Sequence, residues 1–281
     1  MKKFIFSGFT DEFAPEFDRQ VAAAKDFSMD MIELRFADGV NVGNMMPSQI
    51  QCYGEKLREA GIGVSAIGSP LGKVSLDSDL NAHMETARKL FGFANLLGTT
   101  NVRIFSFYGH KDTPILESKQ EVIDWLGRML DIADSFGVTL CHENESRIYG
   151  EMPRQGMELL ETFNGRLKCV FDMGNYVLQQ AEPWAAYLLQ KPYIQYFHIK
   201  DALPNGAIVP PGKGEGRIQQ ILMDFAQTHD AVLVSLEPHL QVFDGLSQLV
   251  AEKTFENPYQ YPDKETAFAD AVKKLKELIL L

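Results

Sequence analysis

Four residues of the kinds that bind metals or transfer protons recur at regular intervals in the second half of the chain. Glu143, Asp172, His198 and Glu237 each follow a short apolar run, and they are separated by 29, 26 and 39 residues. Each interval fits one strand followed by one helix, so the four residues are predicted to end four consecutive strands. Neighbouring strands lie roughly 5 Å apart. The four side chains can therefore converge on one point.

Three carboxylates and one imidazole in one place call for a cation between them. Without one, the like charges repel and the pKa values of the carboxyl groups shift. A ligand set rich in carboxylates with one histidine suits Mn²⁺ or Mg²⁺, with Co²⁺ or Zn²⁺ as alternatives. A lone Glu or Asp at a strand end is more often a helix cap or a surface charge, and a lone His is more often a core residue. It is the coincidence of four that predicts a metal site.

The elements that must position these residues alternate along the chain. Apolar runs of strand length are followed by longer stretches with apolar residues at helical spacing. Strands are predicted at residues 3–7, 29–34, 62–67, 100–105, 138–142, 167–171, 194–199 and 231–236. Helices are predicted at residues 15–27, 48–60, 79–97, 119–136, 157–163, 183–189, 219–228 and 264–280.

This order predicts the fold class. Alternating strands and helices imply parallel strands joined by crossover helices, and eight such units in 281 residues indicate an α/β protein closed into a (β/α)8 TIM barrel. An open doubly wound sheet is the alternative, but the glycine-rich phosphate loop that it usually carries is not found after the first strand. With no linker or break in composition, we expect a single domain over residues 1–281. Active sites of such barrels lie at the carboxyl ends of the strands.

Composition limits the partners of the protein. The formal net charge of −11 repels nucleic acid, which needs a basic surface. A small neutral or singly charged ligand is expected instead. Three cysteines at irregular spacing predict reduced core residues in a cytoplasmic protein, not disulfides. The apolar start at residues 4–6 is too short for a signal peptide, and no apolar run reaches the roughly 18 residues that span a membrane.

Four other ionisable residues carry weaker signals. Glu33 and Arg35 end the second strand, where Glu33 could contact a substrate or the two could pair with each other. His142 directly precedes Glu143, so strand alternation points its side chain the other way. His83 lies within a predicted helix. Neither histidine is given a role.

Three cations lie in the loops that follow predicted strands. Lys73 follows the third strand, and Lys200 and Arg217 follow the seventh. They could bind a phosphate or carboxylate group of a substrate. The alternative is that they are solvated loop charges, which is favoured for Arg217 and equally weighted for Lys73.

Motifs along nearly the whole chain resemble the xylose isomerase-like superfamily, and within it the sugar phosphate isomerase/epimerase branch. The later motifs, in this order, are specific to the superfamily but do not specify a substrate. The matching segments are IELR at 32–35, GSPLGK at 68–73, VRIFSFY at 102–108, HENE at 142–145, FDMGN at 171–175, HIKD at 198–201 and EPHL at 237–240.

The resemblance implies roles for individual residues. The superfamily holds a divalent metal with Glu, Asp, His and Glu at the ends of strands five to eight, and these fall here on Glu143, Asp172, His198 and Glu237. In its ketose 3-epimerases the two glutamates are also the acid/base pair. Many of those enzymes carry a histidine three residues after the aspartate, where it touches substrate. Asn175 stands there in this chain, and an amide could orient a hydroxyl but could not act as an acid.

The resemblance also implies an activity, namely isomerisation or epimerisation of a small sugar, keto-sugar or sugar phosphate. The metal polarises a carbonyl, and one glutamate removes a proton from the neighbouring carbon to give an enediolate. Returning the proton from the opposite face epimerises, and returning it to the adjacent carbon isomerises. Loss of a β-hydroxyl dehydrates, so a dehydratase or lyase acting on a keto-inositol or keto-glycoside stays an alternative. A homo-oligomer is left open.

Two remoter alternatives fit the residues less well. A nuclease of the same superfamily, acting at abasic sites in DNA, would assemble three zinc ions and need more histidines than the six in this acidic chain. A barrel that binds sugar without turnover would not require paired glutamates on a metal.

Overall fold

Every strand and helix predicted from the apolar pattern is present in the computed structural model, which describes residues 3–241 and 257–279. The bounds differ from the predicted ones mostly by one or two residues. The fifth helix differs more, since it begins four residues earlier than predicted. The predicted last residue of the final helix and the outer ends of the predicted 1–281 domain lie outside the described residues, as do residues 242–256.

Eight parallel strands form the barrel wall. They are β1 (Phe4–Gly8), β2 (Met31–Leu34), β3 (Gly63–Ile67), β4 (Asn101–Ile104), β5 (Thr139–Glu143), β6 (Leu167–Asp172), β7 (Ile194–Ile199) and β8 (Val232–Leu236). The hydrogen-bonded order is β1-β8-β7-β6-β5-β4-β3-β2. This is the cyclic order of a (β/α)8 barrel, with β1 and β2 at the seam.

Contacts of Asp30 link the two strands at the seam. The Asp30 backbone N–H donates to the Phe6 carbonyl at 2.8 Å, and the Phe6 N–H donates to Asp30 Oδ2 at 2.8 Å. One residue thus supplies both a backbone and a side-chain contact between β1 and the start of β2. The described residues therefore form a nearly closed barrel, which confirms the predicted fold class.

Helices surround the wall. They are α1 (Phe17–Asp26), α2 (Pro47–Ala60), α3 (Leu80–Leu97), α4 (Lys119–Phe136), α5 (Pro153–Thr162), α6 (Met173–Leu178), α7 (Pro183–Gln190), α8 (Ile218–Thr228) and α9 (Lys264–Ile279). The first long helices end at Gly61, Gly98 and Gly137, whose positive φ angles of 71°, 71° and 67° suit glycine. None of the helices within 3–241 and 257–279 is long and apolar enough to cross a membrane.

Three short elements at the carboxyl ends of strands were not predicted. They are the six-residue α6 and two hairpins, one pairing Phe36–Ala37 with Val40–Asn41 and one pairing Asp201–Ala202 with Ile208–Val209. Elements of two to six residues hold too few positions for a periodic signal. The expectation that all three cysteines lie in the core was wrong for Cys52, which is exposed on α2, while Cys141 and Cys169 are buried.

Candidate metal centre

The four predicted metal ligands meet at the carboxyl end of the barrel. Glu143 and Asp172 end their strands, His198 is the penultimate residue of β7, and Glu237 directly follows β8. The register pairs Asp172 with His198. One ligand atom from each of Glu143, Asp172, His198 and Glu237 lies within 4.8 Å of all the others. None of the four residues is more than 2% exposed. The sequence spacing therefore translates into one buried cluster of three carboxylates and one imidazole.

The imidazole of His198 is oriented as a metal ligand would be. Its Nδ1 lies 3.1 Å from Glu143 Oε1 and 3.3 Å from Glu237 Oε2, yet it forms no hydrogen bond of acceptable geometry. Its Nε2 lies 3.1 Å from Glu33 Oε2, so we assign a proton to Nε2. Burial alone would lower the pKa of His198, but the carboxylates of Glu143 and Glu33 outweigh it and raise that pKa well above its usual value, so without a metal ion Nδ1 is protonated too. A metal ion held between Glu143 and Glu237 would take the place of the Nδ1 proton. Metal-bound histidines are commonly held in this way by a carboxylate on the other ring nitrogen.

Glu33 lies behind His198 and is buried. Its Oε1 accepts a hydrogen bond from the Tyr196 hydroxyl at 3.0 Å, and its Oε2 accepts one from the Ser235 hydroxyl at 2.7 Å. With His198 as a third partner, both oxygens are engaged within the barrel. These contacts also suit Glu33 to orienting His198, and the substrate contact of Glu33 stays a prediction.

Lys200 and Asn175 both lie among the proposed ligands. The Lys200 ammonium donates to Asp172 Oδ2 at 2.9 Å, to Glu237 Oε2 at 3.0 Å and to Asn175 Oδ1 at 3.2 Å. The Asn175 amide nitrogen donates in turn to Glu143 Oε1 at 3.3 Å. Lys200 is only 3% exposed, so it is part of the site and not a solvated loop charge.

Two arginines from the first half of the barrel hold the two glutamates. From the sequence, Arg35 was considered only as a partner of Glu33, and Arg103 was given no role. Arg103 Nη1 donates to Glu143 Oε2 at 3.1 Å, and Arg35 Nη1 donates to Glu237 Oε1 at 2.8 Å. Arg35 also pairs with Asp11 and Glu12, at 2.9 Å and 3.0 Å. Both arginines lie in segments that match the superfamily motifs, at or near strand ends, and that was the signal available for finding them.

A second group of ligand types adjoins the first through Glu237. His239 Nε2 lies 3.2 Å from Glu12 Oε1 and 3.3 Å from Glu237 Oε1. These three residues also have ligand atoms within 4.8 Å of one another. Arg35 is bonded to both carboxylates of the group. A guanidinium therefore already supplies the positive charge there, and we take Glu12 and His239 as supports of Glu237.

Lys73 and Arg217 lie apart from the four-residue cluster. Lys73 Nζ is 2.8 Å from Glu145 Oε2 and 4.4 Å from the centre of the Phe105 ring. Arg217 is half exposed and pairs with Glu182 at 2.7 Å beside an open groove of about 960 Å³. The placement of Arg217 is that of a solvated loop charge, and substrate binding by either residue stays a prediction.

The loop that carries Arg217 is fastened to the site by Asp201. The Asp201 carboxylate accepts hydrogen bonds from the backbone N–H groups of Gly212, Gly214 and Gly216 at 2.8–2.9 Å. A Cβ on Gly214 would lie 2.3 Å from the carbonyl oxygen of Ala202, so this close approach requires glycine. The last residue of the HIKD motif thus anchors the glycine-rich segment next to Lys200.

His142 points away from the ligands, as strand alternation predicted. Its Nε2 lies 2.9 Å from the Ser106 hydroxyl. Burial lowers the pKa of His142 to about 4, so the ring is neutral near neutral pH.

The surrounding charges keep both glutamates ionised. Burial alone would raise the pKa of Glu143, but the positive charges of His198 and Arg103 outweigh it and hold that pKa below its usual range. Burial alone would also raise the pKa of Glu237, but its interactions with Lys200 and His239 outweigh burial, and the pKa of Glu237 is lowered well below its usual value. A carboxylate that stays charged can accept a proton or bind a cation.

Asp172 differs from the two glutamates. Burial raises its pKa to about 7, and the attraction of Lys200 offsets this only in part. A buried carboxyl group of this kind gains from a strong cationic partner. Three carboxylates and one imidazole nitrogen suit a divalent ion with hard to borderline ligand preference. The buried cluster could therefore bind a metal, held by Glu143, Asp172, His198 and Glu237.

Comparison with solved structures gives neighbours over nearly the whole chain. The probable 3-DHS dehydratase AsbF, involved in petrobactin synthesis in Bacillus anthracis, is 19% identical with a TM-score of 0.72, covering 98% of this chain and 99% of that one. D-psicose 3-epimerase of Clostridium cellulolyticum H10, solved with D-tagatose, is 14% identical with a TM-score of 0.74, covering 99% and 98%. A barrel protein from Mycobacterium smegmatis in complex with magnesium is 16% identical with a TM-score of 0.69, covering 98% and 96%. At these identities the likeness shows the fold.

Comparison of sequences gives the family. No curated protein matches the chain significantly. The family model described as "Xylose isomerase-like TIM barrel" matches residues 21–278, which include all four proposed ligands. Because this match spans most of the chain, the protein belongs to the xylose isomerase-like TIM barrel family.

Proposed function

We propose that the protein is a divalent-metal-dependent isomerase or epimerase of a small sugar, keto-sugar or sugar phosphate. One observation carries the proposal. Glu143 and Glu237 approach the same imidazole nitrogen, at 3.1 Å and 3.3 Å, from different strands. Each is paired with its own arginine, at 3.1 Å and 2.8 Å. An ionised carboxylate beside a cation site can accept a proton from carbon next to a carbonyl, and a second carboxyl group can return one when it is protonated.

The residues divide the work as follows. Asp172 and His198 mainly hold the ion, which when bound would polarise a substrate carbonyl and acidify the neighbouring C–H group. One of Glu143 and Glu237 accepts the proton. The other, once protonated from solvent, returns a proton from the opposite face, which inverts the centre, or delivers one to the adjacent carbon, which isomerises. The first glutamate then releases the proton that it accepted to solvent. Asn175 lies against Glu143 and Lys200 and is suited to orienting a substrate hydroxyl.

The arginines contribute to this chemistry without touching carbon. Arg103 and Arg35 hold the two glutamates charged and fix their directions, and a bidentate or networked guanidinium does this better than an ammonium. Phe9 packs beneath both guanidinium groups, with distances from its ring centre of 5.4 Å to Arg103 and 4.2 Å to Arg35. The proton-transfer groups are therefore rigidly mounted before a substrate arrives.

A dehydratase acting on a keto-polyol is the second candidate. It would use the same metal, the same proton abstraction and then loss of a β-hydroxyl. The overall likeness to the probable 3-DHS dehydratase supports it at the level of fold. Product analysis separates the two, because only dehydration forms an unsaturated product and water.

The proposal is tested first by metal content. The protein is purified with Mn²⁺ present, and divalent metal per chain is measured by elemental analysis for the wild type and for Glu143→Gln, Asp172→Asn and His198→Gln. We expect about one ion per chain in the wild type and little in the variants. Glu145→Gln is the matched control, because Glu145 lies two residues from Glu143 but pairs with Lys73.

Turnover is then examined with ketoses, keto-inositols and their phosphates in deuterated water. Incorporation of deuterium next to the carbonyl is the expected result.

The metal content itself can contradict the proposal. A wild-type protein that binds no specific ion would overturn it, and about three ions per chain would favour the nuclease alternative.

A further inference from the structure

The ammonium group of Lys200 shares its acceptors with the proposed metal site. Its three N–H bonds have three acceptors, namely Asp172 Oδ2 at 2.9 Å, Glu237 Oε2 at 3.0 Å and Asn175 Oδ1 at 3.2 Å. Two of these acceptors belong to residues of the four-residue cluster. Glu237 Oε2 is also the oxygen that lies 3.3 Å from Nδ1 of His198. The ammonium therefore neutralises carboxylates that a metal ion would need.

The position of Lys200 is built into the backbone. A Cβ on Gly174 would lie 2.8 Å from Lys200 Cγ and 2.9 Å from Lys200 Cβ, so the absence of a side chain on α6 makes room for the lysine stem. Asp201, the next residue, fixes the strand end by binding three glycine N–H groups of the following loop. Lys200 is thus held over the cluster from both sides.

An ammonium and a divalent ion cannot both use the same lone pairs of Asp172 and Glu237. Two cations within one hydrogen-bond length of the same oxygens repel, and the repulsion is strong in a site screened from water. Removing the ammonium without replacement leaves the buried carboxylate of Asp172 with no ion pair among the described residues, which is costly. One cation must therefore be present, and the two compete.

We propose that Lys200 is an exchangeable counter-cation of the metal site. It pairs with Asp172 and Glu237 in the metal-free protein, and metal loading displaces its ammonium from these oxygens. Asn175, the acceptor outside the ligand set, is then the contact that Lys200 can keep. Lys200 thereby keeps the empty site folded and weakens metal binding. This inference rests on the metal site of the proposed function and goes beyond it by assigning a resident competitor.

The test compares metal affinity with the stability of the metal-free protein. Wild type, Lys200→Met and Lys200→Gln are stripped with chelator, Mn²⁺ is titrated by calorimetry, and Tm is measured with and without Mn²⁺. We expect the metal-free variants to melt several degrees below the wild type. We expect them to bind Mn²⁺ more tightly, on the order of tenfold, because a competing charge is gone. The Mn²⁺-induced rise in Tm is therefore larger in the variants.

Lys73→Met is the matched control. Lys73 also pairs with a carboxylate at 2.8 Å, but its partner Glu145 is outside the cluster. The Kd of the Lys73→Met variant for Mn²⁺ is expected to match that of the wild type. Should Lys200→Met fail to fold, Lys200→Gln keeps N–H donors without the charge. It is expected to show the same lower Tm without metal and the same tighter binding of Mn²⁺.

The outcomes separate this inference from the proposed function. If the wild type binds one Mn²⁺ and folded Lys200 variants bind it no tighter, the proposed competition between Lys200 and the metal ion is wrong, but the metal site itself is supported. If neither the wild type nor the variants bind Mn²⁺, both the metal site and the competition are wrong.

Discussion

The two halves of the barrel mouth contribute different chemistry to one site. Strands β5 to β8 supply the four proposed ligands, three carboxylates and one imidazole. Strands β2 and β4 supply Arg35, Arg103 and Glu33, each bonded to one of those ligands. The second half thus carries the groups that would meet metal and substrate, and the first half sets their charge and direction.

The comparison indicates that one half of the chain supplies the proposed metal ligands and that the other half supplies residues that orient them. Without the first half, Glu143 would lose the positive charge of Arg103, which helps to hold its pKa below the usual range, and Glu237 would lose its ion pair with Arg35. His198 would be present, but its tautomer and ring direction depend on Glu33. If this division is right, changes in the second half should abolish proton transfer, and changes in the first half should weaken it or shift its pH dependence.

The largest effect is expected for Glu237→Gln. An amide keeps an oxygen for the ion and for neighbouring donors, but it cannot accept a proton from carbon. Loss of a general base typically costs about 10²–10⁴-fold in rate, so solvent deuterium exchange should disappear while substrate binding is largely kept. Proton NMR in deuterated water measures the exchange, and calorimetry measures the binding. Retained exchange would sink the role of Glu237.

A smaller effect, with a change in pH dependence, is expected for Arg103→Met. The methionine removes the positive charge 3.1 Å from Glu143 Oε2, so the pKa of Glu143 rises from its lowered position. The ionised base is then lost at a higher pH as the solution is acidified. The acidic limb of the kcat profile should therefore move to higher pH, with kcat falling by about tenfold or more.

Profiles of kcat against pH measure the Arg103→Met effect. Arg103→Lys, which keeps the charge without the fork, should restore much of the wild-type profile. An unmoved acidic limb in folded Arg103→Met protein would mean that Arg103 only supports packing. Circular dichroism provides the check of folding.

The smallest effect on kcat at saturating Mn²⁺ is expected for Glu33→Gln, because this change acts on metal affinity. The change leaves the four ligands intact but weakens the hydrogen bond that orients His198 from the other side of the barrel. Loss of such a supporting partner typically lowers metal affinity by about 10–100-fold. Calorimetric titration of Mn²⁺ checks this. An unchanged Kd, together with a raised KM for substrate, would return Glu33 to its predicted role as a substrate contact.

Much of the fold could be predicted because the signals are local. Strand β7 has the predicted bounds, and α4 does too, because an apolar run or an amphipathic stretch bounded by glycine is visible in a short window. The direction of His142 followed from alternation along a single strand. By contrast, α6 was missed because six residues hold less than two turns of periodic signal.

The site was predictable where it depends on spacing and unpredictable where it depends on partners. The four clustered residues follow from strand ends one unit apart. The pairing of Arg35 with Glu237 joins residues 202 positions apart, and the bond from His198 to Glu33 joins residues 165 apart. No local pattern specifies which of several carboxylates a long side chain will reach.

The sequence by itself determined the eight-unit alternation, the family and the four residues that could bind a metal. These depend on periodicity and on chain order, which the barrel preserves. Only the tertiary structure decided that Glu33 lies behind His198, that Lys200 lies among the ligands, and that arginines hold the glutamates. The physical reason is closure of the barrel, which brings the inward side chains of distant strands into one buried volume. There, each charge must find an opposite charge or a hydrogen bond.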